Sequence, residues 1–259
     1  LTNGVEAAGA KGGILVAMRP GTGEILATVS VERDDDGVVR PSTEHRAATW
    51  SYEPGSIIKP LTISALLDAG LAEPDTVREV PYRIHVHDSD FTDSSPHENE
   101  EWTVAEIVRR SSNVGTIMWA QETGATALHT KLVDFGLGQA TGLRFPGEAH
   151  GILLPLAKWS GTSLPTIAIG QGVAATPIQM LISYATLANR GVQPAPTLVL
   201  GMRDHGGVFE SVGNDVVRRV VSEATAEELV VMMEEAVRSG TGTRAQVSGY
   251  RVAGKTGTA

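Results

Sequence analysis

No cysteine occurs anywhere in the 259 residues. That excludes disulfides, thiolate metal sites and a cysteine nucleophile, and it leaves the redox compartment open. Blocks of Lys or Arg are also missing. With 21 basic against 30 acidic residues the formal charge is −9, so neither a nucleic-acid partner nor an anionic membrane surface is expected. No run of about 18 apolar residues is present, so no membrane-spanning helix is expected. Leu1 to Ala10 lacks the basic flank and apolar core of a secretory signal. Internal repeats and low-complexity segments are absent too. What remains is an ordinary globular composition, 41% hydrophobic and 20% charged, large enough for a sizeable core in one large domain or two lobes.

The β-rich runs Gly13 to Met18 and Glu24 to Val31 flank Arg19-Pro20-Gly21-Thr22-Gly23 and predict a hairpin. Asp34 to Gly37 follows as a solvated acidic loop. Helical periodicity then dominates from Ser56 to about Asn189. Thr103-x-x-Glu106 is a capping-box signature for a short helix to about Arg110, and Ser111-Ser112-Asn113 can begin another. Phe135-Gly136-Leu137-Gly138 marks a helix stop, and Pro146-Gly147 and Gly151 lie in a loop region. Thr176-Pro177-Ile178-Gln179 combines an N-cap, a proline at the first helical position and Gln at N3, with Gly191 as the stop. Thr225-x-x-Glu228 predicts a last helix whose stripe, including Met232 and Met233, reads as core packing. Tyr250 to Ala253 reads as a strand.

The helical stretch is interrupted at Val80 to Glu101, which holds His85, His87 and His97 among many acids. A His-x-His pair on a strand face could hold a metal. No third ligand has a recognisable spacing, however, and an exposed polar loop is the better reading. No metal or cofactor is expected.

The stretch around which the chain is organised is Tyr52-Glu53-Pro54-Gly55-Ser56-Ile57-Ile58-Lys59-Pro60. Ser56 is expected in a first helical turn, where its N–H lacks an intrahelical partner. Lys59, three residues on, shares its helix face, within reach of a hydroxyl it could deprotonate. Pro60 removes the N–H that would bond the Ser56 carbonyl, so the turn should be tightened or kinked. Taken alone this is weak, since at average usage of about 6–7% each Ser-x-x-Lys arises about once in a chain this long. A lysine base also needs burial or a neighbouring cation to lower its pKa, and a second lysine in the pocket would do so. Ser111 and Asn113 are suited to relaying a proton and to hydrogen-bonding an amide, though taken alone simple capping is the better reading. Lys255-Thr256-Gly257 offers a cation and a hydroxyl for an anionic group, and a glycine that permits close backbone approach.

Ser-x-x-Lys, Ser-x-Asn and Lys-Thr-Gly in that order form the motif set of penicillin-binding proteins and class A β-lactamases. The wider context, Arg110-Ser111-Ser112-Asn113-Val114-Gly115, Gly170-Gln171-Gly172 with Thr176-Pro177, Gly240-Thr241-Gly242 and Ala253 to Ala259, resembles the transpeptidase domain of class B penicillin-binding proteins, from Gly13 onward. The resemblance implies an α/β (α+β) fold with an antiparallel sheet lobe and an all-α lobe, and a D,D-transpeptidase acting on peptidoglycan stem peptides and acylated by β-lactams. It implies that Ser56 attacks the D-Ala-D-Ala bond, Lys59 takes its proton and Ser111 returns it to the leaving D-Ala. Asn113 would hold a donor amide. Lys255, Thr256, Gly257 and Thr258 would bind the terminal carboxylate, and the N–H groups of Ser56 and Thr258 would form the oxyanion hole. It further implies work at the extracytoplasmic face of the bacterial membrane, on an N-terminal anchor outside this chain, alongside other cell-wall synthesis proteins.

A serine β-lactamase or D,D-carboxypeptidase is the nearest alternative. The middle motif is Ser-Ser-Asn rather than Ser-Asp-Asn, and Pro146-Gly147-Glu148 follows the class B pattern rather than a water-activating loop. A non-catalytic β-lactam sensor is a further alternative, against which the complete motif set argues. In the family resembled, two later strands connect the Lys-Thr-Gly strand to the N-terminal hairpin, so residues 1–259 are expected to be a single transpeptidase domain lacking its C-terminal strands, in a protein that continues past Ala259.

Overall fold

The computed structural model describes residues 1–211 and 218–258. Helix α1 (Thr2–Ala7) precedes the expected hairpin, β1 (Gly12–Met18) and β2 (Ile25–Arg33), which pair antiparallel from Gly12↔Glu32 to Met18↔Ile25. The acidic turn after β2 is closed by Asp34, whose carboxylate accepts the Val38 N–H at 2.8 Å. It leads into a third antiparallel strand, β3 (Val39–Pro41), which the sequence did not disclose.

After α2 (Arg46–Thr49) the chain enters a 3-10 turn, Gly55–Ile58, and then α3 (Lys59–Asp68). Every residue of α3 from Lys59 to Leu67 is buried. A helix buried on all faces is the centre of its lobe. Around it stand α4 (Val104–Arg110), α5 (Asn113–Thr123), α6 (Ala125–Asp134), α7 (Ser163–Ala168) and α8 (Pro177–Ala188), with α9 (Glu223–Ser239) closing the lobe. Both expected capping boxes form, at Thr103/Glu106 and Thr176/Gln179. Helix α8 serves two cores. Its Met180 and Leu187 enter the helical core. Ile178 and Ile182, on the opposite face, pack with Ala47 and Ala48 against Ile14, Val16, Met18 and Ile25 of the sheet. The mixed antiparallel-sheet and helical architecture is the expected fold class.

Three local expectations are corrected. Val80 to Glu101 is not a simple polar loop. It belongs to two antiparallel pairs, β4 (Val77–Val80) with β7 (Glu100–Thr103) and β5 (Arg83–Val86) with β6 (Ser89–Thr92). Their side chains are mostly half-buried or exposed, and many of the exposed ones are polar, which hid the strands. Helix α9 begins at Glu223 rather than at Thr225, because the Ser222 hydroxyl accepts the Thr225 N–H at 3.1 Å and takes the cap. Met232 and Met233 are buried as expected. Tyr250 to Ala253 forms no strand, since none of the described strands lies beside it to supply a ladder. The segment is held to α9 instead, by the Gly254 N–H on the Met233 carbonyl at 3.2 Å and by Arg251 on Glu234. Among the described residues no helix is long and apolar enough to cross a membrane.

Candidate active site

The turn that carries Ser56 is tightened as Pro60 dictates. The Ser56 carbonyl accepts from the Lys59 N–H, three residues on, which is the 3-10 pattern. Two neighbours fix the turn in space. Tyr52 and Ala175 exchange backbone hydrogen bonds at 3.0 and 2.9 Å, the Gly55 N–H donates to the Gly170 carbonyl at 2.9 Å, and Glu53 accepts the Gly172 N–H at 2.9 Å. From the other side the Tyr184 hydroxyl donates to the Ile57 carbonyl at 2.8 Å. Burial pushes the Tyr184 phenol far up from its ordinary range, so it stays a neutral donor.

Gly170 adopts a φ of +88°, and a Cβ there would stand 2.0 Å from the Gly55 carbonyl oxygen. The Gly-Gln-Gly motif is thus a backbone-to-backbone clamp on the serine turn. Gly257 serves a similar close approach, since a Cβ on it would lie 2.9 Å from Ile57 Cγ2. This brings the Lys-Thr-Gly segment against the Ser56 turn.

Ser56 opens into a cleft of about 330 Å³ lined also by Ser94, Ser111, Asn113, Ile169, Gln171, Thr241, Thr256, Gly257 and Thr258. Three separate stretches therefore meet in one place. Ser111 reaches it through an unusual backbone, a left-handed φ of 60° at the C-cap of α4. Non-glycine residues in that region concentrate where function over-determines the backbone. Ser112 caps α5, its hydroxyl accepting the Gly115 N–H at 2.8 Å, so capping falls to Ser112 and leaves Ser111 and Asn113 facing the cleft.

Lys59 is fully buried behind this surface. Its amine donates to the Ser111 carbonyl and to Asn113 Oδ1, both at 2.7 Å, with Ser111 Oγ at 3.4 Å. Lys255 donates to the same Ser111 Oγ at 2.7 Å and to the Thr256 carbonyl at 3.1 Å. The two ammonium groups thus share one hydroxyl. Burial first, and then Lys255, pull Lys59 down to about 7, against an opposing pull from Asp93. Burial brings Lys255 down to about 8. The need for a second lysine, visible in the sequence, is met, although burial contributes more than the neighbouring charge. The Lys59 amine turns to Ser111 and Asn113, and Ser56 Oγ has no hydrogen bond to it. The Ser111 carbonyl and Asn113 Oδ1 outcompete a hydroxyl as acceptors for a buried amine.

Asn113 is committed on both ends, its Nδ2 donating to the Thr92 carbonyl at 2.9 Å. Thr256 Oγ1 pairs with Thr241 Oγ1 at 2.7 Å. Thr241, Gln171 and Asp93 carry no assigned role in the sequence reading. The first two sit in Gly-x-Gly punctuation that was legible as motif, whereas Asp93 lies in a polar stretch with no spacing signal. Around the cleft the described residues that line it include no carboxylate, and Glu148 is held away by the Thr141 N–H at 2.8 Å.

A tightened serine turn, two pKa-lowered lysines on a shared hydroxyl and a cleft where three separate stretches of chain meet define a serine acyl-transfer architecture. Residues 13–259 match the family described as the Penicillin binding protein transpeptidase domain, and the chain belongs to that family. It is 35% identical over 271 residues to Penicillin-binding protein PbpB of Mycolicibacterium smegmatis, covering 98% of this chain and 41% of that protein. To Peptidoglycan D,D-transpeptidase FtsI of Escherichia coli K12 it is 31% identical, covering 100% of this chain and 43% of that protein. The chain thus spans about two fifths of these relatives. Among solved structures, Penicillin binding protein 3 of Mycobacterium tuberculosis complexed with ampicillin superposes with a TM-score of 0.93 at 33% identity, covering 100% of this chain and 60% of that one.

Proposed function

We propose that this domain is a peptidoglycan D,D-transpeptidase that forms an acyl-enzyme on Ser56 and is acylated by β-lactams. The observation that carries the reading is the unencumbered Ser56 hydroxyl at the mouth of a cleft whose rear wall holds Lys59 near neutrality. In the forward step Ser56 Oγ bonds to the carbonyl carbon of the penultimate D-Ala while its proton passes to the neutral Lys59 amine. The Ser56 and Thr258 N–H groups take the oxyanion. As the C–N bond breaks, Ser111, in contact with both lysines, delivers a proton to the leaving D-Ala nitrogen. An acceptor amine then repeats the sequence in reverse, restoring Ser56. Asn113 orients the donor amide, and Lys255, Thr256, Gly257 and Thr258 receive the terminal carboxylate. A relative named as a D,D-transpeptidase and a structural neighbour complexed with ampicillin support the substrate class and the inhibitor class. The same reading places the work at the extracytoplasmic face of the membrane, among other cell-wall synthesis proteins.

Intact-mass spectrometry after penicillin treatment tests it. One adduct is expected on the peptide containing Ser56, and none in Ser56→Ala. Labelling that persists in that variant would move the nucleophile elsewhere.

A further inference from the structure

Against the Ser111–Asn113 turn lies a carboxylate–imidazole pair that the acyl-transfer scheme does not use. Asp93 follows β6 directly and is buried. Its carboxylate accepts the Ser112 hydroxyl at 2.8 and 3.0 Å, the Asn113 N–H at 2.5 Å and the Val114 N–H at 3.0 Å. It thus gathers the free N–H groups that open α5, where a negative charge is favoured. The remaining neighbour is His97, with Nε2 at 3.0 Å from Asp93 Oδ2 and Nδ1 at 2.7 Å from the Glu98 carbonyl. A carbonyl and a carboxylate oxygen both only accept. Both contacts are therefore satisfied as hydrogen bonds only when both ring nitrogens donate. It is boxed by the Trp102 ring, with centroids 4.5 Å apart, and by the edge of Tyr82 at 6.0 Å. The other charged side chains that face this pocket are Glu100, which accepts the Trp102 N–H, Arg110, stacked over the Trp102 ring, and Arg109.

We propose that Asp93 and His97 act as a positioning pair for acyl transfer: Asp93 fixes the turn that presents Ser111 and Asn113 to Lys59, and His97 cancels the carboxylate charge that the Lys59 amine would otherwise feel. The need for the second half follows from electrostatics. A general base must be free of its proton, and an anion nearby holds the proton on. Asp93 does pull Lys59 upward, against burial and Lys255. A neutral side chain at Asp93 would avoid that pull and lose the strong cap, whereas pairing with an imidazolium keeps the cap and reduces the pull. The geometry couples the two directly, because Asn113 donates its N–H to Asp93 and accepts from Lys59 on its Oδ1.

The test compares His97→Gln, Asp93→Asn and the double variant by NMR titration of the Lys59 side chain, with the pH profile of penicillin acylation measured in parallel. His97→Gln is expected to raise the Lys59 midpoint, and with it the acid limb of the profile, by on the order of half a pH unit. Asp93→Asn is expected to lower both. In the double variant the His97 substitution should add nothing, since the charge it balanced is gone. A purely structural role would slow acylation without moving the midpoint. An unmoved midpoint in His97→Gln, or shifts of the same sign in both single variants, overturns the proposal. Should a variant fail to fold, ¹⁵N shifts of the wild-type His97 ring decide: both nitrogens protonated near neutral pH supports the pair, and a neutral ring refutes it. The acylation readout rests on Ser56 being the acylated serine, but the Lys59 titration does not. Failure of wild-type acylation would thus count against the function while leaving the pair testable.

Discussion

Substituting Gly170 by alanine isolates what the clamp on the serine turn contributes. The backbone there has a φ of +88°, and the new Cβ would lie 2.0 Å from the Gly55 carbonyl oxygen and 2.6 Å from its nitrogen. A left-handed alanine costs about 1–2 kcal/mol, and overpacking against unyielding backbone adds about 1–3 kcal/mol, so a loss of ~2–5 kcal/mol is expected. Gly172 supplies the control. It too is left-handed, at +68°, but its Cβ would meet only Thr166 Oγ1 at an ordinary 3.5 Å. Gly172→Ala should therefore show the conformational cost alone, about 1–2 kcal/mol. Function should separate the two further, because relieving the Gly170 clash means moving Gly55 by about 1 Å, and Ser56 is the next residue. A misplacement of that size near a reacting atom can cost about 10²-fold in rate. Urea denaturation gives the stability difference, and the second-order rate of labelling by a fluorescent penicillin gives the functional one. Equal midpoints and equal labelling rates in the two variants would refute the idea that Gly170 clamps the turn.

How much of this was legible in the sequence depended on whether a residue's role was local. The tightened turn at Ser56 follows from Pro60 alone, and the caps at Thr103 and Thr176 follow from their own neighbours three residues on. The sequence order of the three motifs pointed to one cleft, and the fold brings Ser56, Ser111, Asn113, Thr256, Gly257 and Thr258 around it. What was illegible is what depends on a distant partner. The Lys59 amine lies three residues from Ser56 in sequence yet bonds Ser111 and Asn113, more than fifty residues on. Asp93 looked like one acid among many, and its place at the start of α5 comes from the pairing of β5 with β6, whose alternation is too polar to advertise strands. Tyr250 to Ala253 has strand-forming residues, but a strand is a property of two segments, and none of the described strands lies beside it.

The remaining predictions concern the adduct, the cleft wall and the buried base. With no carboxylate among the described residues lining the cleft, the penicilloyl adduct on Ser56 should outlast many catalytic cycles; rapid multiple turnover of a chromogenic cephalosporin would favour the β-lactamase reading. Thr241→Val leaves Thr256 Oγ1 without its 2.7 Å partner, and acylation should slow by about tenfold, equivalent to roughly 1.4 kcal/mol for one lost hydrogen bond; an unchanged rate would remove Thr241 from the site. Lys59 gives the last prediction, through linkage. Its folded pKa is held at about 7 against an ordinary 10.5, so between those values the unfolded chain binds a proton that the folded protein does not. Stability therefore rises with pH across that window, and the cost of burying the lysine is fully present below about pH 7, on the order of 5 kcal/mol. Lys255, brought down to about 8, adds a smaller contribution of the same sign, so the informative quantity is a difference between curves. Lys59→Met carries no proton at that position in either state, although it strands the Ser111 carbonyl and Asn113 Oδ1, a loss that does not depend on pH. Its unfolding free energy, followed by urea titration from about pH 7 to about pH 10, should climb less steeply than that of the wild-type protein. Parallel curves would mean that the buried amine keeps its ordinary affinity for a proton, and Lys59 would then be no base near neutral pH.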